Sequence, residues 1–170
     1  MDLRKNFYKP YKVLMLLYIF MILFGFIVNT PAEIFSGLKN ILLTPDILIT
    51  DYIQVGGIGG GIINAALTSL LCLLLLIFTN IVPNGSTIMA LWVVTAFAFL
   101  GKNILNVWPI IFGVYLFSRY KKEKFSNYTL AALLGTSLSP IVTQLYYTDY
   151  LPKMPSLIIG IFLGILVGFI

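Results

Sequence analysis

The chain has 170 residues, 59% of them hydrophobic and 10% charged, with a formal net charge of +5 and no histidine. Soluble domains carry about 25% charged residues, so this composition excludes an ordinary soluble fold and predicts an all-α, polytopic integral membrane protein. The basic balance does not mark a nucleic-acid partner, because most of the basic residues lie in two short clusters beside apolar segments, where membrane topology explains them.

The first apolar stretch, Val13–Val28, follows Arg4, Lys5, Lys9 and Lys12. Asn29-Thr30-Pro31-Ala32-Glu33 offers no small-x-small cleavage site, so an uncleaved first helix is expected rather than a signal peptide. Pro31–Thr44 then sets Ile34, Phe35, Leu38, Ile41 and Leu42 at helical spacing, with Glu33, Ser36, Lys39 and Asn40 elsewhere. That pattern predicts an amphipathic helix at the membrane interface, or dipping partway in, and ended by Pro45.

After Ile47–Val55 comes a glycine run, Gly56, Gly57, Gly59, Gly60 and Gly61, leading into the second stretch, Ile58–Thr79. Glycines at this density are costly in a helix, about 1 kcal/mol each in a soluble host. They serve either close backbone packing or an unwound segment beside a solute path. Cys72, the one cysteine, cannot form an internal disulfide and is read as packing.

The third and fourth stretches, Thr87–Leu100 and Ile104–Phe117, are too short for ordinary crossings, and Gly101-Lys102-Asn103 separates them. They form two tilted crossings or a re-entrant pair; irregular backbone at membrane depth survives only where protein or a water-filled cavity surrounds it. The fifth, Tyr128–Leu145, is interrupted by Pro140, and Tyr146, Tyr147 and Tyr150 follow as an aromatic belt. In the sixth, Leu157–Ile170, Gly160, Gly164 and Gly168 recur every four residues as a packing face. That stretch stops without a polar flank, short of the ~20 residues a crossing needs, which leads us to expect a longer protein of which residues 1–170 are a single transmembrane domain.

Charge sets the expected orientation. Alternating the crossings brings the first cluster and the second (Arg119, Lys121, Lys122, Lys124) to one face, the cytoplasmic one, with the N-terminus there too. Glu33, Asp46, Asp51 and Asp149 fall toward the opposite face. The expected location is therefore the cell membrane, with the lipid bilayer as surroundings.

The sequence shows no acidic pair, no Cys/His cluster, no serine–histidine pair and no phosphate loop. An enzyme is therefore not expected, and neither is a cofactor or a metal. Three polar patches enter the apolar stretches instead. The first is Asp51 with Asn64, Thr68 and Ser69; Asn64 and Thr68 share a helix face, while Asp51 either faces a cavity or caps a helix. The second is Gly101–Asn106, with Trp108 and Pro109 after it. Asn103 and Asn106, three apart, present amides at a helix start, to line a path for a small polar solute or to bond between helices. Lys102 could repel cations, attract an anion or snorkel. The third is Thr136, Ser137, Ser139, Pro140, Thr143 and Gln144, where hydroxyls line a path or satisfy the proline kink.

Gly37–Pro45, TDYIQVGGIGGGIINAALTSL (Thr50–Leu70) and GKNILNVWPIIFGVYLF (Gly101–Phe117) resemble an uncharacterised bacterial family of integral membrane proteins, a domain of unknown function. The resemblance implies a multi-spanning protein that carries this unit twice, with no assigned activity. More distantly, the glycine-led segment before Pro45 and the Gly-x-Asn patch at Gly101–Asn103 are similar to the layout of urea-transporter repeats. The paired asparagines of those transporters are replaced here by Leu43-Thr44, and no urea-site residue is carried over. The expectation is a repeat unit of five to six membrane segments with re-entrant or broken helices. It would form a transporter or channel for a small polar solute, completed by a second repeat or another copy. The alternative is a non-transporting scaffold, assembly or sensor component.

Overall fold

The structure, a computed structural model, describes residues 8–45, 49–146 and 152–170, and these are helical with no strand among them. Arg4, Lys5, Asp46, Tyr147, Asp149 and Tyr150 lie outside the described residues. The helices are α1 (Lys9–Val28), α2 (Pro31–Leu43), α3 (Tyr52–Phe78), α4 (Gly85–Phe97), α5 (Trp108–Tyr120), α6 (Thr129–Gly135), α7 (Pro140–Tyr146) and α8 (Lys153–Phe169). Two of them, α1 with 20 residues and α3 with 27, are long and apolar enough to cross a membrane. Along α1, Val13, Leu16, Phe20, Leu23 and Ile27 are exposed, whereas Tyr11, Leu14 and Tyr18 are buried against the body.

Local sequence explains the boundaries. At α2, Thr30 accepts from the Glu33 backbone N–H while the Glu33 carboxylate accepts from the Thr30 N–H, a reciprocal cap completed by Pro31 in the first turn. Helix α3 begins at Tyr52, six residues before the apolar stretch read from sequence, so the glycine run lies inside it. Gly57 alone of that run breaks the helix, at φ 73° and ψ 167°. The break releases N–H groups from the ladder, and the Asn29 side-chain oxygen takes the one from Gly59 at 2.9 Å.

The other glycines seat neighbouring backbones. A Cβ on Gly37 of α2 would fall on the carbonyl oxygen of Gly56, and a Cβ on Gly59 would meet Gly25 and Asn29 of the α1 end at 2.9 Å. At the other side of the molecule, Gly113 of α5 lies against Ile165 and Gly168 of α8, and Gly160 lies on Val142 of α7. The four-residue glycine spacing of α8 is thus a contact face for α5 and α7, as the sequence predicts. The core between α1, α3, α4 and α6 is filled by Tyr11, Tyr18, Ala66, Cys72, Leu73, Leu76, Leu91, Val94 and Leu133.

The third and fourth apolar stretches appear as α4 and α5, 13 residues each. At 1.5 Å per residue each is about 20 Å long, well short of a ~30 Å hydrocarbon core. The separation between them is wider than the three residues read from sequence. It runs from residue 98 to 107, because Trp108-Pro109 is where the fixed φ of proline can start a helix. The fifth stretch is divided into α6, a 3-10 turn (Thr136–Leu138) and α7, which starts at Pro140.

Candidate functional site

Residues 98–107 form a non-helical loop held inside the helical body. Ala98, Gly101, Lys102, Asn103, Asn106 and Val107 are buried. Buried irregular backbone must find partners for its polar groups, and here side chains supply them. Gly101 takes φ 113°, which turns its carbonyl toward two donors, the Tyr52 hydroxyl and the Asn106 amide, both at 2.9 Å. The Asn64 amide donates to the carbonyls of Ala98 at 2.7 Å and Lys102 at 3.0 Å. The backbone N–H of Tyr52 donates to the Phe99 carbonyl at 3.0 Å, tying the start of α3 to the loop.

Asn103 and Asn106 cap each other. The Asn103 side-chain oxygen accepts from the N–H groups of Leu105 (2.9 Å) and Asn106 (3.0 Å), and the Asn106 side-chain oxygen accepts from the Asn103 N–H at 2.9 Å. The Asn103 amide nitrogen donates to the Tyr52 oxygen at 3.0 Å, so that hydroxyl accepts from Asn103 while donating to Gly101. The Asn106 amide nitrogen also reaches the Thr143 hydroxyl at 3.4 Å, which in turn lies 3.2 Å from the Pro140 carbonyl. The second and third patches of the sequence therefore touch, through Asn106 and Thr143.

Beside this loop lies a groove of about 710 Å³ between α2, α5, α7 and α8. Leu42, Leu105, Trp108, Phe112, Ile161 and Ile165 make its walls, with Asn103, Asn106 and Thr143 as its polar lining and Pro109 at the start of α5. Proline at that position shapes the groove and also packs on Gly164.

The remaining sequence candidates fall in three places. Asp51 is exposed and caps α3, accepting from the N–H groups of Ile53 (2.8 Å) and Gln54 (3.2 Å), which is the capping alternative rather than a position at depth. Thr68, Lys102 and Ser139 are fully buried, and Thr68 Oγ1, Lys102 Nζ and Ser139 Oγ have no hydrogen-bond partner among the described residues. Ser69 belongs to a separate hydroxyl cluster: Thr95 donates to the Leu91 carbonyl at 2.8 Å, so both Ser69 (2.7 Å) and Tyr18 (3.3 Å) donate to Thr95. Of the glycines, Gly57 is the break, Gly56 and Gly59 are close contacts, Gly60 meets α2 at ordinary distance, and Gly61 sits over Tyr52 and Ile53.

Sequence reasoning missed two residues of this assembly. Tyr52 had no local signal, because its partners stand some fifty positions away. Asn29 did have one: it immediately precedes the Thr30-Pro31-x-Glu33 capping pattern, where a polar side chain beside a helix start is well placed to serve a second backbone. Among the described residues no three His, Cys, Asp or Glu side chains gather where they could hold a metal ion.

No curated protein and no solved structure matches the chain. A family model described as a protein of unknown function (DUF1576) matches residues 30–170, which takes in α2 through α8 and the whole buried loop, and the chain belongs to that family.

Proposed function

We propose that this chain is a polytopic membrane transporter or channel unit for a small polar solute, inserted with its N-terminus in the cytoplasm and completed by a second repeat or another copy. The observation that carries the reading is the pair of 13-residue helices, α4 and α5, that end in a buried polar loop instead of continuing across. Broken helices meeting inside a membrane protein are a common way to bring amide, hydroxyl and backbone groups to a solute site, and such backbone persists at depth only where protein or a cavity encloses it. The groove beside the loop is apolar with a few polar groups, and this supports the reading, since such a lining would strip water from a solute and replace part of it.

One observation favours the alternative of a non-transporting scaffold. The Asn103 and Asn106 side chains bond to the loop itself, to Tyr52 and to Thr143, as a structural brace would. The two readings separate on a substitution that fills the groove without touching the brace. Ile161→Trp in protein reconstituted into liposomes should lower solute-driven swelling several-fold and leave the thermal midpoint nearly unchanged if the groove is the path. Unimpaired flux through folded Ile161→Trp protein would remove the groove from the mechanism. No flux for urea, ammonia, glycerol, small amides or ions from folded parent protein would favour the scaffold.

A further inference from the structure

We propose that Lys102 and Thr68 form a binding site for one small monovalent anion inside the helical body. The Lys102 side chain is 0% exposed, and its ammonium, with three N–H donors, meets no acceptor among the described residues. Its one described stabilising neighbour is the Phe97 ring, whose centroid is 5.7 Å from Nζ. A buried charge without a partner is among the most costly arrangements a protein can hold, and in membrane proteins such groups usually serve an ion or solute. Thr68 Oγ1 is a second buried donor with no partner among the described residues.

Both residues are tied to one face of α3. On α3, Asn64, Thr68 and Cys72 are four residues apart and share a face. Asn64 bonds the carbonyl of Lys102. Thr68 lies one turn beyond Asn64 on that face. In the proposed site the ammonium comes from the loop and the hydroxyl from α3.

The chain's described carboxylates are engaged elsewhere. Glu33 is bonded to Asn29 and Thr30, Asp51 to the first turn of α3, and Glu123 to Asn127 and Tyr128. None of these described carboxylates pairs with Lys102, and the proposed anion takes that place. One cation with one hydroxyl, among Phe97, Cys72 and other apolar groups, suits a single small monovalent anion and disfavours phosphate or a dicarboxylate. This deepens the transport reading by naming the charge of the solute, and it rests on that reading only for the anion being cargo.

The test is the thermal midpoint of the purified full chain, read by tryptophan fluorescence in sodium nitrate, chloride or formate against gluconate at equal ionic strength. The small anions should raise the midpoint over gluconate, Lys102→Met should abolish the rise, and Thr68→Val should weaken the apparent affinity about tenfold, the effect of one hydrogen bond to a charge. Equal midpoints in all four salts, or a full rise in Lys102→Met, would overturn the site. Should Lys102→Met fail to fold, Thr68→Val decides, since a threonine that only packs would leave the anion response as in the parent and so overturn it. Flux of the same anions into liposomes separates the two claims. A midpoint rise without flux keeps the site and removes transport; flux without a rise removes the site and keeps transport.

Discussion

Substituting Gly37 by alanine tests the packing of α2 on α3 at its closest point. The new Cβ would sit on the Gly56 carbonyl oxygen, nearer than real Cβ atoms come, and the obstacle is backbone rather than a side chain that can rotate away. Overpacking costs about 1–3 kcal/mol, and a rigid backbone on both sides puts this case near 3. Alanine returns about 1 kcal/mol of helix propensity, so the net loss is about 2 kcal/mol. Gly60→Ala is the matched control. Its Cβ would meet Gly37 at 3.4 Å, an ordinary contact, so the propensity gain of about 1 kcal/mol should survive. The two variants should differ by about 3 kcal/mol, or roughly 6–12 °C in midpoint for a chain of this size. The assay is built into the molecule: Cys72 is the one cysteine and is fully buried, so a thiol-reactive fluorophore reports unfolding. Midpoints within about 1 °C of each other, a small fraction of the shift that scaling gives, would mean that α2 does not cross α3 at Gly37 and Gly56.

Asn103→Leu should lower the midpoint by about 10 °C or prevent assembly, because it leaves the part-buried N–H of Leu105 and the buried N–H of Asn106 without their acceptor, at about 1–3 kcal/mol each where burial is complete; wild-type stability with selective loss of flux would instead make the amide a path group. Gly57→Ala should destabilise by about 1–3 kcal/mol although nothing lies within 4 Å, since its φ and ψ are nearly glycine-only, and Gly85→Ala, equally open but at an ordinary φ, should not; equal melting of the two would refute a break at Gly57. The Glu33 carboxyl is held below its ordinary value, chiefly by the Thr30 backbone N–H and then by Asn29 and Thr30 side chains. Its contribution to the α2 cap is therefore present above the unfolded-state pKa and lost as pH falls through the lower folded one. Amide exchange in the first turn of α2, corrected for intrinsic rate, should lose protection in acid, and Glu33→Gln should remove that pH dependence.

What the sequence reveals is mostly local. Pro31, the apolar spacing of Ile34, Leu38 and Ile41, and Pro45 mark out α2 almost to the residue, because cap, face and stop are all encoded between Thr30 and Pro45. The spacing of Asn103 and Asn106 likewise anticipates two amides at a helix start, though it cannot say that each would bind the other's backbone. The glycine run resists such reading. Five glycines are equivalent as letters, and which one turns to positive φ depends on where Gly25, Gly37 and Asn29 press against the rest. The same holds for Lys102, whose burial is fixed by Asn64 and Phe97 on other helices, and for Tyr52, whose hydroxyl finds its partners only once the 98–107 loop has folded over it.

The chain Tyr52–Asn103–Asn106–Thr143 has a mechanical meaning beyond its bonding. Tyr52 belongs to the α1–α2–α3 group clasped at Gly25, Gly37 and Gly59, and Thr143 to the α5–α7–α8 group clasped at Gly113, Gly160 and Gly168. Each group is stiff because its helices touch backbone to backbone. The bonds from Tyr52 to Asn103 and from Asn106 to Thr143 act as a tie rod between two rigid plates. At 3.4 Å its outer joint is longer than the 3.0 Å inner one, so a force that rocks the plates apart should slip at Thr143 first and leave the loop intact on α3.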